Sequence, residues 1–411
     1  MKAQLSLHTP LNSEVTLALG GSKSESNRLL ILQALFPSIS MENLSNSDDS
    51  AVMQEALAKA EGTIDIHHAG TAMRFLTAYF ASRAGTNVVL TGSDRMRQRP
   101  IGVLVEALRS MGASIVYTGD SGCPPLQING SDLAIGTVML EANISSQYIT
   151  ALMLIAPSLP NGLRILLRGK VTSVPYIEMT RSLLEQCGIR SSFVSNEIVI
   201  AASEEVKDTH IVVESDWSSA SYFYSFMALS LQGSITLGSF RSNSFQGDSA
   251  LAQIYEQLGV HTEFLPSENK IRLSRNEQPV ASLIELDLSN TPDIAQTIAV
   301  SCFGLGIECY LTGLHTLMIK ETDRLTALKT ELEKLGGRVA ITEDSLRLFA
   351  AESIPSQLEI ETYNDHRMAM AFAPLALKTD ITIKDCGVVS KSYPSFWEDM
   401  KHVGLQVDML G

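Results

Sequence analysis

Four short stretches place charged side chains at spacings that can move protons or grip anions. KETDRL, Lys320 to Leu325, sets Lys320, Glu321, Asp323 and Arg324 just ahead of an apolar helical pattern. Lys320 and Arg324 lie one helical turn apart, and Glu321 is expected to face elsewhere. A carboxylate held between cations can transfer a proton, typically worth ~10²–10⁴-fold in rate. On an isolated surface helix the same string is only an ion-pair ladder of small energetic effect. YNDHRMAM brings Asp365, His366 and Arg367 to the same kind of position, although a lone histidine there is more often structural. RMRQRP holds Arg95, Arg97 and Arg99 in a loop after the strand-like NVVLTG. Guanidinium forks suit bidentate phosphate or carboxylate, whereas a solvated basic loop is the plain alternative. SNTPDIAQT puts Pro292 at a helix N1 position with Asp293 beside it, where an acid also simply complements the helix dipole.

A fifth stretch, GSKSESNRLLILQAL, Gly21 to Leu35, reads as a helix entrance. Ser22 and Glu25 form a capping-box pattern, and Leu29 to Leu35 form the apolar body. Ser24 and Arg28 share a face. Lys23 falls in the first turn, where the macrodipole disfavours a cation, so a visiting anion would rationalise it.

The elements that position these groups recur. Six amphipathic helices each close on a glycine and run into a strand-like stretch, at Gly62, Gly112, Gly188, Gly259, Gly336 and Gly404. Intervals of roughly 50–80 residues exceed those of common solenoids, so each unit is expected to be a small α/β subdomain of several strands and two helices. The first helix of each unit opens alike, with SKSESNR, AGTAMR, SSQYIT, DWSSAS, NTPDIAQ and NDHR. Free N–H groups at such helix starts make anion sites if several converge. The six units divide three and three, with the boundary near Glu214 to Trp217.

Composition limits the function classes. The 411 residues, 45% hydrophobic and 18% charged, suit an ordered protein with more than one core. A formal net charge of −14 disfavours nucleic acid as the main partner and leaves small anionic ligands open. The N-terminus lacks the apolar core of a signal peptide. The apolar run Thr297 to Leu314 is interrupted by Glu308 and reads as a buried helix and strand rather than a membrane span. Five cysteines without metal-ligand spacing read as reduced thiols, so a cytoplasmic location and no metal are expected. No P-loop, dinucleotide fingerprint or nucleophile elbow occurs.

Taken in order, GSKSESNR, AGTAMRFLTA, RMRQRPI, SSQYITALM, VPYIE, SSASYF, PDIAQTIAV, KETDRL and YNDHRMAM resemble the 5-enolpyruvylshikimate-3-phosphate synthase family, from Leu5 to Met409. The resemblance implies an α/β (α+β) fold: a two-domain inside-out barrel of six βαβαββ-type repeats, three per domain, with helices inside and sheets outside. It places the domains at 21–216 and at 1–20 with 217–411. The implied reaction moves the enolpyruvyl group of phosphoenolpyruvate to the 5-hydroxyl of shikimate 3-phosphate. It passes through a tetrahedral intermediate and uses no metal or organic cofactor, on the route to chorismate and aromatic amino acids. The family is a target of glyphosate. A cytoplasmic monomer is expected, without nucleic-acid or membrane partners.

By motif, the resemblance makes Ser24, Arg28, Ser145, Ser146, Gln147, Ser173 and Tyr176 contacts of shikimate 3-phosphate. It assigns Lys23, Gly70, Arg99, Gln147, Arg324, Arg367 and Lys391 to phosphoenolpyruvate. Asp293 becomes the base near the 5-hydroxyl, with Lys320 on the shikimate side. Glu321 and Lys23 become the proton-handling pair, with His366 close by. Because these groups divide between the two domains, the domains are expected to close on the substrates.

Four positions depart from the family pattern: His68 before AGTA, Phe75, Trp217 in the DxSSAS motif, and Thr316. The nearest rival, transfer to UDP-N-acetylglucosamine, calls for a cysteine in the loop that here reads TGSDRMRQRP; Cys123 lies beyond the next helix, in a turn. A non-catalytic anion binder on the same repeats is the other rival, disfavoured because the charged motif residues are all present.

Overall fold

A computed structural model describes residues 1–7, 14–141, 145–169, 171, 173–276, 280–351, 354–355 and 358–411. The chain forms two compact units, one continuous (Gly21–Val213) and one discontinuous (Met1–Gly20 with Glu214–Gly411). Glu214 to Asp216 belong with the discontinuous unit: Ser215 Oγ donates to Leu19 O at 2.7 Å, and Asp216 N to Gly20 O at 3.2 Å.

Among the described residues, twelve α-helices are interspersed with the strands. They are α1 (Lys23–Leu35), α2 (Asp48–Leu57), α3 (Gly70–Ala81), α4 (Gly102–Ser110), α5 (Ser146–Ile155) and α6 (Val174–Gln186) in the continuous unit. The discontinuous unit holds α7 (Trp217–Leu229), α8 (Leu251–Glu256), α9 (Ala295–Leu305), α10 (Arg324–Lys334), α11 (His366–Phe372) and α12 (Phe396–His402). The odd-numbered helices open on the six recurring motifs.

A single sheet pattern recurs. Strands Glu61–Asp65 and Asn87–Thr91 pair in parallel across α3; α4 follows, and the hairpin Ser114–Tyr117 and Leu126–Asn129 completes an antiparallel edge. Among the described residues, five four-stranded sheets have this order. Two borrow a strand from the start of the chain: Glu14–Ala18 pairs in parallel with Ser234–Gly238, and Lys2–Ser6 lies between Ile381–Lys384 and Gln406–Leu410. The expectation of six complete βαβαββ repeats needs correction. Around α1 and α2 the sheet has, among the described residues, two strands, Ile39–Glu42 parallel to Thr209–Val212. After α2 the chain passes directly into Glu61–Asp65, the first strand of the next unit, leaving no residues for a hairpin.

Burial explains the layering. Every residue of α7 except Ser218 is buried, and α5 and α9 are buried over most of their length. A helix apolar on all sides belongs in a core. Strands alternate instead, as in Thr137–Glu141, where Val138 and Leu140 are buried between exposed neighbours. The two buried clusters coincide with the two units. Hydroxyls inside the helical layer satisfy one another: Ser301 Oγ donates to Ser225 Oγ at 2.8 Å and lies 2.8 Å from the Tyr255 hydroxyl.

Gly112, Gly188, Gly336 and Gly404 each follow a helix C-cap with positive φ, and the next residue's N–H returns to the helix, as Gly337 N does to Leu332 O at 2.9 Å. Gly62 does not end a helix. α2 stops at Leu57, capped by Ala58, and Gly62 lies inside the following strand.

Candidate active site

In the continuous unit, Ser22 caps α1 by accepting from Glu25 N at 3.4 Å. Lys23 Nζ, in the first turn, lies 3.4 Å from Asp49 Oδ2 at the start of α2. The cation that the helix dipole disfavours thus has an internal carboxylate, which the motif reading missed. Arg28, one turn on, is buried. Its Nε donates to Thr180 Oγ1 at 2.8 Å, Nη1 to Ser24 O at 2.7 Å, and Nη2 to Thr150 Oγ1 and Tyr176 O, both at 3.4 Å. The guanidinium lies 5.5 Å from the Phe75 ring centre and 5.8 Å from that of Tyr176. Burial among neutral acceptors lowers its pKa to about 10, although Tyr176 and Glu25 act in the opposite direction.

α3 starts at Gly70 after Ala69 and has no side-chain cap. The Arg99 guanidinium covers this start: a Cβ on Gly70 would lie 2.5 Å from Arg99 Nη1. Arg99 is buried, and its Nε has no hydrogen-bond partner among the described residues. A guanidinium beside an uncapped helix N-terminus is two positive ends facing one place, which an anion would relieve. Arg99 is held from behind. Arg74 Nη2 donates to Pro100 O at 3.1 Å, and the Tyr148 hydroxyl donates to the same oxygen at 2.6 Å. Arg97 instead pairs with Asp94 on the surface, so the solvated-loop alternative describes that arginine.

Ser145 caps α5, accepting from Gln147 N at 3.3 Å, and Gln147 Nε2 donates to Thr71 Oγ1 on α3 at 3.2 Å. Ser146 is buried in the first turn. Ser173 precedes α6 in the left-handed region, φ 54°, with Tyr176 N donating to its carbonyl at 3.1 Å. His68 Nδ1 lies 2.8 Å from Ser93 Oγ.

In the discontinuous unit the charged motifs converge. Arg324, only 2% exposed, touches three carboxylates. Its Nε donates to Asp365 Oδ2 at 2.6 Å, Nη1 to Asp293 Oδ1 at 3.0 Å, and Nη2 to Glu321 Oε2 at 2.8 Å. Burial opposes its charge, yet Asp365, Glu321 and Asp293 together raise its pKa further. Glu321 does not face elsewhere. α10 begins only at Arg324, capped by Asp323, and the extended Lys320 lets Glu321 turn back. Its other oxygen accepts from Lys391 Nζ at 2.9 Å.

Asp293 lies in a 3-10 turn, Pro292–Ile294, ahead of α9. It accepts from Arg324 and, at 3.1 Å, from Arg367 Nη2; Lys320 Nζ is 3.3 Å away. Burial pushes this carboxyl up, but Arg367, Lys320 and Arg324 outweigh it and hold the group well below the usual range. Asp365 caps α11 by accepting from Arg367 N at 2.8 Å, and the buried His366 Nδ1 lies 3.7 Å from the same carboxylate. Among the described residues no group of His, Cys, Asp and Glu side chains is placed to hold a metal ion. None of the described helices is long and apolar enough to cross a membrane.

Comparison with known proteins identifies the family. Residues 40–400 match the family model described as EPSP synthase (3-phosphoshikimate 1-carboxyvinyltransferase). The chain belongs to this family. A 3-phosphoshikimate 1-carboxyvinyltransferase from Bacteroides fragilis is 45% identical over 405 residues, 98% of each chain. One from Photorhabdus laumondii is 36% identical over 94% of this chain and 96% of its own. Among solved structures, EPSP synthase from Acinetobacter baumannii superposes with a TM-score of 0.78 at 20% identity over the whole of both chains. The enolpyruvyl transferase NikO from Streptomyces tendae does so at 0.73 and 14%, over 100% of this chain and 99% of its own. At such identities these structures speak for the shared mixed α/β fold.

Asp49 and Thr180, outside the motifs, and Arg74, Tyr148, Thr150 and Ser218, inside them but not singled out by the sequence reading, all contact site residues. Most sit on the same buried helices as ordinary core positions, so only the folded packing distinguishes them.

Proposed function

We propose that the chain transfers the enolpyruvyl group of phosphoenolpyruvate to the 5-hydroxyl of shikimate 3-phosphate and releases phosphate. Family membership over nearly the full chain carries this reading, and the cation-rich geometry supports it. Both substrates are phosphorylated carboxylates, which guanidinium groups and free helix starts bind well. Arg28, Ser145, Ser146, Gln147, Ser173, Tyr176 and Ser24 hold shikimate 3-phosphate, with Lys320. Lys23, Gly70, Arg99 and Gln147 of the continuous unit, and Arg324, Arg367 and Lys391 of the discontinuous one, are the assigned phosphoenolpyruvate contacts, with His366 next to Arg367 in the chain. The alternation of buried helices with strands exposed on one face supports helices inside and sheets outside in each unit.

In the addition step the 5-hydroxyl oxygen bonds to C2 of phosphoenolpyruvate, the double-bond electrons take a proton at C3, and the hydroxyl proton leaves to a base. Asp293 is that base. Three surrounding cations make it a weak one at rest. Anionic substrates that engage Lys320 and Arg367 draw two of them away and strengthen it. In the elimination step a C3 proton leaves, the double bond re-forms and the C–O bond to phosphate breaks. Glu321, an acceptor between Arg324 and Lys391, fits removal of that proton, with Lys23 as its acidic counterpart.

Transfer to UDP-N-acetylglucosamine is disfavoured by the cysteine complement. Burial and neighbouring Asp120 raise the Cys123 thiol above its ordinary range, against Arg74, so it is not an activated nucleophile. We further infer a cytoplasmic monomer. The decisive experiment mixes chelator-treated protein with each substrate alone and with both. Phosphate release only with both is expected; turnover with UDP-N-acetylglucosamine, or none with the shikimate ester, would overturn the reading.

A further inference from the structure

One buried acid in the discontinuous unit has no part in the scheme above. Asp248 lies in a short turn, Gly247–Ala250, ahead of α8, and is 4% exposed. One oxygen, Oδ2, accepts from the Ser218 hydroxyl. The other, Oδ1, is buried and has no hydrogen-bond partner among the described residues. Ser218 is the single residue of α7 that is not buried, and its Oγ also accepts from Arg367 Nη2 at 3.3 Å. That nitrogen in turn donates to Asp293 Oδ2 at 3.1 Å. A hydroxyl has one proton, so with Arg367 donating to Ser218, the Ser218 proton points to Asp248. The row Asp248–Ser218–Arg367–Asp293 therefore has one guanidinium with an acid at each end, one direct and one through a hydroxyl.

The turn holding Asp248 is fixed independently. Gln246 Oε1 accepts from Trp217 N at 3.0 Å, and Gln246 Nε2 donates to Ser215 O at 2.9 Å. Glu214 accepts from Ser244 Oγ at 2.7 Å, Arg241 N at 2.9 Å and the Trp217 indole at 2.8 Å. Asp248 is thus held against α7 rather than free to reach solvent. The charged groups around it are Asp293 ahead of α9, Arg367 on α11 and Asp216 at the cap of α7. An ionised carboxylate with one oxygen buried and unbonded is costly unless a cation compensates it.

We propose that Asp248 is a positioning residue: through Ser218 it competes with Asp293 for Arg367, and it takes up a proton when an anionic substrate engages Arg367. The inference rests on the reading of Arg367 as a phosphoenolpyruvate contact. Burial and repulsion by Asp293 push the Asp248 carboxyl up to about 7, against Arg367 and Ser218, so both charge states are accessible near neutrality. Ionised, Asp248 offsets part of the Arg367 charge and weakens its hold on an incoming anion. Protonated, it leaves Arg367 free for the anion. Raising the pH through neutrality should therefore weaken phosphoenolpyruvate binding, and an isosteric neutral residue should remove that dependence.

The test is the pH profile of the phosphoenolpyruvate KM, from pH 5.5 to 8.5, in the parent protein, Asp248→Asn and Ser218→Ala. Between the parent and Asp248→Asn the ionisation of phosphoenolpyruvate itself cancels. Relative to Asp248→Asn, the parent KM is expected to rise roughly 5–10-fold across neutrality, the low end of coupling between sites. Ser218→Ala should reduce that rise by uncoupling the acid from Arg367. Calorimetry near pH 7 in buffers of different ionisation enthalpy should show proton uptake on phosphoenolpyruvate binding in the parent beyond that in Asp248→Asn. Parallel profiles and equal uptake in parent and Asp248→Asn would overturn the inference. Arg367→Lys separates the two readings: if it leaves the phosphoenolpyruvate KM unchanged, the assignment of Arg367 fails, and the inference about Asp248 fails with it. If Arg367→Lys weakens binding but the profiles stay parallel, only the inference fails.

Discussion

Arg324 Nη1 donates to Asp293 Oδ1 at 3.0 Å, and the same guanidinium also binds Glu321 and Asp365. The assigned base is therefore also a counter-ion of a buried cation. Asp293→Asn and Glu321→Gln, which keep the shape but remove the charge, should each cost about 10²–10⁴-fold in turnover, as expected for proton-transfer groups. Rates near those of the parent in either variant would reject its role.

The same contact has a pH signature. The folded-state pKa of Asp293 is depressed, so its contribution to stability is present above the ordinary carboxylate range and is lost as pH falls through the folded value. Asp293→Asn should be less stable than the parent at pH 7, with the gap narrowing in acid. Denaturant melts at pH 7 and pH 3 give the comparison, and a pH-independent difference would contradict the ion-pair origin.

Asp248 carries the opposite sign. Its folded pKa is raised to about 7, so the stability linked to its neutral form is complete below the ordinary Asp value of about 3.9 and is lost as pH rises to neutrality. Asp248→Asn should therefore be more stable than the parent at pH 8, on the order of 1–3 kcal/mol, and close to it at pH 4. Equal stabilities at both pH values would mean that the carboxyl is not suppressed.

Much of this was legible from the chain, and the losses have physical reasons. Helix starts are marked locally by caps and small residues, so the six helices that open on motifs such as NDHR and SSQYIT are readable from the sequence. The run Thr297 to Leu314 resolves into α9 and the strand Glu308–Thr312, with Gly306 in the left-handed region ending the helix between them. Glu321 was misdirected because helical spacing was applied to residues that precede the Asp323 cap. The missing hairpin beside α1 and α2 depends on which strand the chain reaches next, which no local pattern encodes. Asp49 and Asp248 lie in none of the motifs, and Ser218 is one small residue among several in DWSSAS; their meaning comes from long-range contacts, Asp49 with Lys23, and Asp248 through Ser218 with Arg367.

Gly70 offers a steric test. A methyl group there would lie 2.5 Å from Arg99 Nη1, so Gly70→Ala must displace the guanidinium from the α3 start. The fold should persist, because the contact is with the far end of a flexible side chain. The KM for phosphoenolpyruvate should rise by about 10-fold or more, a loss of roughly 1.4 kcal/mol, with a smaller effect on shikimate 3-phosphate binding. An unchanged KM would show that Arg99 does not need this position.

Arg28 separates stability from function. Its guanidinium is buried, its pKa falls to about 10, and all four of its hydrogen bonds go to hydroxyl or carbonyl oxygens. Replacing a buried charge with an apolar side chain of similar volume is often neutral or stabilising, provided that the former partners remain satisfied. Here one of them clearly does, since Tyr176 O still accepts from the Thr180 hydroxyl at 2.8 Å. Arg28→Met also keeps an unbranched side chain between the Phe75 and Tyr176 rings. Its melting temperature should therefore stay within a few degrees of the parent, while calorimetric binding of shikimate 3-phosphate should fall by two orders of magnitude or more, about 3 kcal/mol. A variant that melts far lower but binds normally would make Arg28 a structural cation and leave the shikimate phosphate without its assigned buried partner.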